Sequence, residues 1–146
     1  MRVVLQRVKK ANCIVNGEIV SEIEKGYLLL VGFTHNDTID NVNKMAKKIA
    51  NLRVFEDEAG KMNLSIKSVD GSILAISQFT LYADPNSGNR PSFIEAMRPV
   101  EANSLYEEFV KVLNNEYQII TKKGVFGADM TLCPVCDGPV TISLEF

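Results

Sequence analysis

One histidine, three cysteines and a small negative charge set the first limits on what this 146-residue chain can do. The histidine, His35, sits near the end of an apolar run with no nucleophile marked around it, so it reads as an ordinary loop residue rather than the base of a Ser-His-Asp or Cys-His arrangement. Cys13, Cys133 and Cys136 are an odd set, which does not suggest a secreted disulfide framework. Cys133-Pro134-Val135-Cys136 has CxxC spacing, but it stands without a second pair or a spare histidine. In an extended strand its two sulfurs would diverge, so no metal site and no cofactor is expected. A net charge of -2 excludes a protein that coats nucleic acid electrostatically, though not one that grips a single RNA end. No apolar run reaches the length of a membrane span, and MRVVLQRV at the start is too short and too interrupted for a signal peptide. The expected compartment is the cytoplasm, with no membrane partner. No glycine loop of phosphate-cradling form is present, since Gly124-Val125-Phe126-Gly127 is too short and precedes a strand.

What is there is an ordinary globular composition, 46% hydrophobic and 23% charged, in a length that suits one domain, residues 1–146. Val3 to Val8 reads as a first strand. Asn16-Gly17 between β-formers reads as a hairpin turn, because both turn positions need positive φ. Gly26 to Phe33 is a continuous apolar run, expected to be a strand covered on both faces. A helix follows, capped by Asp37 or Thr38, with Ile39, Val42, Met45, Ile49 and Leu52 at helical spacing. Arg53 to Phe55 and Leu64 to Ile66 flank a turn at Glu58-Ala59-Gly60. Ile73 to Leu81 is expected to be another strand, and Tyr82 to Pro99 a long polar loop. A second helix puts Ala102, Leu105, Phe109 and Val112 on one face, with Glu107 and Glu108 away from it. Tyr117 to Thr121, Val125 to Leu132 and Val140 to Phe146 read as closing strands. The fold class is α+β: one domain with a curved, largely antiparallel sheet or barrel and two main helices.

Two segments stand out. Ser77-Gln78-Phe79-Thr80-Leu81 ends a hydrophobic strand in hydroxyl and amide groups, which fits a polar rim as readily as a site. Asp137-Gly138-Pro139-Val140-Thr141 fits a tight turn before the last strand. Taken with MRVVLQRV, NLRVFEDEAGKMNLS, SQFTLYAD, RPSF, GVFGADM and DGPVT in order along nearly the whole chain, they make the sequence resemble the D-aminoacyl-tRNA deacylases, also called D-tyrosyl-tRNA deacylases. The pattern departs at Cys136, where the family usually has Asn. The change bears on a local hydrogen bond near the Gly-Pro turn, not on the turn itself.

The resemblance implies an enzyme that hydrolyses the ester of D-aminoacyl-tRNA, and to some degree glycyl-tRNA, while rejecting L-aminoacyl-tRNA. It implies a homodimer with active sites at the subunit interface, a cis Gly138-Pro139 bond entering the partner's pocket, and Arg7 supporting that motif. Ser77, Gln78, Phe79 and Thr80 are then the catalytic segment. The backbone N–H groups of Phe79 and Thr80 are candidate oxyanion donors, and the tRNA's own 2′-hydroxyl assists. Phe126 is a candidate surface for stacking the terminal adenine. Two other readings stay open: a related deacylase that edits an L-amino acid mischarged on tRNA, and a non-catalytic nucleic-acid-binding module.

Overall fold

The computed structural model describes residues 1–86 and 88–146. Among the described residues, eight strands and two α-helices form a single α+β domain. β1 (Arg2–Val15), β2 (Glu18–Ile23), β3 (Gly26–Gly32), β6 (Ser72–Ser77), β7 (Thr121–Lys123) and β8 (Thr131–Glu145) make one sheet in the order β2-β1-β3-β6-β7, with β8 also on β1. β4 (Arg53–Glu56) and β5 (Met62–Ser65) form a separate hairpin. β1 is antiparallel to β2, β3 and β8, whereas β6 is parallel to both β3 and β7. The sheet is therefore mixed. β2 reaches round to β7, where Ser21 Oγ donates to the Lys123 carbonyl at 2.5 Å, and this draws the sheet toward a closed barrel.

Period-two alternation explains how the sheet divides the core. Tyr27, Leu29, Val31, Ile73 and Ala75 face the helices, while Leu28, Leu74 and Ile76 face inward with Val8, Ala11 and Cys13. Both faces of β3 are therefore covered, as its unbroken apolar run requires. The Asn16-Gly17 turn forms with φ of 52° and 81° at its two positions. Helix α1 (Ile39–Asn51) starts at Thr38, whose N–H and hydroxyl both donate to Asn41 Oδ1 at 2.9 Å. Asp37 is occupied elsewhere, accepting from the amino terminus and from the Thr34 N–H. The buried face of α1 is Val42, Met45, Ala46, Ile49 and Ala50, and each large one contributes about 1.5–3 kcal/mol of burial. Ile39 is left exposed and Leu52 half-buried at the helix end. Helix α2 (Pro99–Asn115) buries Ala102, Phe109 and Val112, as its spacing indicates, with Tyr106, Val110 and Leu113 beside them.

Three local expectations are corrected. The strand from Ile73 stops at Ser77, and Phe79–Tyr82 turns as a 3-10 helix. The cause lies across the sheet. At Gly32, a Cβ would stand 2.8 Å from the Gln78 carbonyl and 3.1 Å from Leu81 Cβ, so the absent side chain lets the segment fold over β3. Residues 125–130 are loop rather than strand, and β7 is confined to Thr121–Lys123. Asp137–Thr141 is not a turn between strands but part of one long strand, β8. Within β8 the register jumps: Gln6 faces Thr141 and Val8 faces Cys136, so Arg7 alone stands opposite residues 137–140. This is a large, special bulge, a backbone arrangement that takes residues out of the ladder.

Candidate functional site

The first two corrected segments help to build a cavity of about 650 Å³. Its walls come from the end of β3, from Ser77, Gln78 and Phe79, from Met97, Arg98 and Pro99 entering α2, from Ala102, and from Phe126 to Met130. Most of this surface is apolar. Among the described residues, Arg98 and Asp129 are the ionisable residues in the lining; no histidine, cysteine, lysine or tyrosine is among them. His35 lies outside it, exposed, with its ring against the Ile94 carbonyl.

The 3-10 turn borders the cavity through Phe79. The Gln78 N–H still pairs with the Val31 carbonyl at 2.7 Å, the last rung of the ladder. Phe79 and Thr80 begin the turn, where N–H groups have no intrahelical acceptor. Among the described residues no acceptor takes either of them. The turn is fixed from below by Arg2, whose guanidinium donates to the Leu81 carbonyl. Phe79 is exposed, and its ring meets Phe93 edge-on at 5.2 Å. Thr80 is also exposed and does not line the cavity. Its hydroxyl is bonded to Gln78 Nε2 at 2.5 Å. An amide cannot take a proton from a hydroxyl, so this partner does not activate Thr80 as a nucleophile.

Phe126 is carried on a turn closed by the Ala128 N–H to the Val125 carbonyl at 3.2 Å. Gly127 takes φ 74° within it, a conformation that favours glycine. The half-buried ring leans on Tyr106 at 5.9 Å and leaves a face on the cavity. The Tyr106 hydroxyl donates to the Ala75 carbonyl at 2.8 Å, and burial raises its pKa well above the usual phenol range. It acts here as a fixed donor.

The structure thus brings Ser77, Gln78, Phe79 and Phe126 to one cavity, with Thr80 just outside. Gly138, Pro139 and Arg7 do not line it. Gly138 and Pro139 are exposed on the β8 bulge, and the peptide bond between them is cis. Arg7 is buried beneath them. Its Nε donates to the Asp137 carbonyl at 3.1 Å and its Nη1 to the Val54 carbonyl at 2.6 Å. Cys133 and Cys136 are free and exposed, facing Asn12 and Val8 in the ladder.

Arg98 and Asp129 escaped the sequence reading. Asp129 lies inside GVFGADM, but nothing in the motif says which residues face a cavity. Arg98 follows a loop of no regular period, and only the start of α2 at Pro99 hinted at its place.

The sequence profile described as D-Tyr-tRNA(Tyr) deacylase matches residues 4–145. The chain belongs to this family. It is 54% identical to a D-aminoacyl-tRNA deacylase of Exiguobacterium sibiricum and 51% identical to one of Chloroherpeton thalassium. Each match covers 99% of this chain, with 99% and 95% of those proteins covered. Among solved structures it is similar to one titled "c-Myc DNA Unwinding Element Binding Protein". The TM-score is 0.94 and the identity 42%, over 100% of this chain and 99% of that one. A structure titled as a probable eukaryotic D-amino acid tRNA deacylase shares the fold, with a TM-score of 0.88 at 15% identity. The deacylase family match covers every segment of the cavity and of the bulge.

Proposed function

We propose that the chain hydrolyses the ester linking a D-amino acid to the 3′ end of tRNA, releasing free tRNA and the amino acid, in the cytoplasm and as a homodimer. The observation that carries the reading is the pair of unclaimed N–H groups at Phe79 and Thr80. They sit beside a cavity whose lining, among the described residues, holds no histidine, cysteine or lysine to serve as nucleophile or base. Such a cavity suits chemistry in which the protein supplies shape and oriented dipoles, and the substrate supplies a hydroxyl.

The terminal adenine stacks on Phe126, placing the ester carbonyl at the 3-10 turn. Water adds to the carbonyl carbon, and the developing oxyanion is held by the Phe79 and Thr80 N–H groups. One such donor is typically worth roughly 2.7–4 kcal/mol in the transition state. The C–O bond to the 3′ oxygen then breaks, and that oxygen takes up a proton. The neighbouring 2′-hydroxyl assists the proton transfers.

Chirality is read by crowding. The partner subunit's Gly138 and Pro139 present main-chain carbonyls where an L side chain would point, and a D side chain turns outward into open space. Exposure of the bulge and its separation from this subunit's own cavity support the cross-subunit arrangement. Glycyl-tRNA, with no side chain to clash, is cleaved to some degree.

Deacylation of D- and L-tyrosyl-tRNA by the pure protein tests the reading. Cleavage of the D form alone is expected. Cleavage of an L-aminoacyl-tRNA instead would place the chain among L-editing relatives, and binding without cleavage would make it a nucleic-acid-binding module.

A further inference from the structure

The bulge that carries Gly138 and Pro139 has lost its ladder partners. Arg7 is the one residue of β1 opposite four residues of β8, so its side chain must hold what the ladder does not. It is 5% exposed, and a buried guanidinium needs acceptors and a counter-charge close by. Two carboxylates are within reach. Glu56 is 3.8 Å from Nη2, and its side chain is 59% exposed. Asp137 Oδ2 is 3.2 Å from Nε, with its side chain 29% exposed. Asp137 is the nearer and the better shielded. Its carboxylate approaches Nε as an ion pair, while the single N–H of that nitrogen donates to the Asp137 carbonyl at 3.1 Å. Nη1 meanwhile donates to the Val54 carbonyl on β4 at 2.6 Å, which ties the guanidinium to a second element.

The consequence falls on the next residue. Gly138 has φ 124°, and a Cβ there would lie 2.9 Å from the Val140 N and Cγ2 and 3.5 Å from Arg7 Nη2. The chain therefore leaves Asp137 in a conformation open to glycine, against the guanidinium. Whatever fixes Asp137 fixes where the Gly138 and Pro139 carbonyls point.

We propose that the Asp137 carboxylate is a positioning residue for chiral selection. By pairing its charge with the Arg7 guanidinium while its main-chain carbonyl accepts from Nε, it sets the aim of the Gly138–Pro139 carbonyls. The inference rests on the proposed function, in which those carbonyls exclude the L side chain.

The test is kcat/KM on D- and L-tyrosyl-tRNA for wild type, Asp137→Ala and Asp137→Asn, with thermal denaturation of each. Asp137→Ala removes the ion pair to the buried guanidinium and is expected to raise the L-to-D ratio of kcat/KM by about tenfold or more. Asp137→Asn keeps an oxygen for Nε without the charge and is expected to raise it less, by about threefold. An L-to-D ratio within about twofold of wild type in Asp137→Ala overturns the proposal, even if the melting temperature and the D rate both fall. Should Asp137→Ala not fold, the same result in Asp137→Asn overturns it. A wild-type protein that cleaves neither substrate, or both equally, would instead remove the reading on which the proposal rests.

Discussion

The cavity below Ser77–Thr80 and the bulge at Gly138–Pro139 are made by opposite means. The cavity is concave and mostly apolar, and it is bordered by the turn in which the Phe79 and Thr80 N–H groups are left without an acceptor among the described residues. The bulge projects from the longest strand, is exposed, and is held from beneath by a buried arginine with carbonyl and carboxylate partners. On the proposed function, the first region can change its side chains at little cost to its chemistry, because its working atoms are backbone. The other depends on particular side chains, because its backbone has no ladder to rest on. The difference suggests that in this protein the reaction and the choice of substrate are separate mechanical problems, solved by separate parts of the chain.

That contrast yields graded predictions. The sharpest removes one backbone donor without touching a side chain. Replacing Thr80 by its α-hydroxy acid turns the N–H into an ester oxygen and is expected to lower the single-turnover rate on D-tyrosyl-tRNA by about 10²–10³-fold. A loss under about fivefold would take the oxyanion role away from this group. Next in size is Phe126→Ala. Stacking on one base is worth about 1–3 kcal/mol, so KM should rise roughly 5- to 150-fold while the L-to-D ratio stays fixed. A changed ratio would mean that the cavity wall takes part in chiral choice.

Tyr106→Phe removes the hydroxyl that donates to the Ala75 carbonyl. That carbonyl keeps the Gly124 N–H at 2.9 Å, so calorimetry should find a cost of only about 0.5–1.5 kcal/mol in stability. The D rate should change little, provided Phe126 still leans on the ring. A comparably small effect is expected for Thr80→Ala, which keeps the N–H and loses only a hydroxyl bonded to an amide. It should retain activity within about tenfold of wild type, less than the effect of a 2′-deoxy terminal ribose on the substrate. A folded but inactive Thr80→Ala protein would return the chemistry to the side chain.

Much of the scaffold was legible in the residues. The Asn16-Gly17 turn, the doubly covered β3 and both helices follow from local chemistry, since hairpin turns and apolar periods are written within a few residues. The site was less so. Ser77–Leu81 keeps β-forming residues, and its turn depends on a missing side chain at Gly32, on another strand. Asp137-Gly138-Pro139 has the composition of a turn, yet it sits inside β8 because β1 is long enough to pair on both sides of it. The parallel pairing of β6 also escapes local reading, since no short motif tells which edge a strand will join. The family resemblance named Arg7 and Phe126 where periodicity alone could not.

The central claim is that one active site takes its cavity from one subunit and its chiral guard from the other. A hybrid dimer tests this directly, one subunit carrying Phe126→Asp in the cavity wall and the other Gly138→Ala in the bulge. If the guard acts across the interface, the subunit with the intact cavity meets an intact bulge, while both defects meet at the other site. The hybrid should then show about half the wild-type rate on D-tyrosyl-tRNA and the wild-type L-to-D ratio. If the hybrid instead shows the L-to-D ratio of the Gly138→Ala homodimer, each bulge serves its own cavity, and the two-subunit account is wrong.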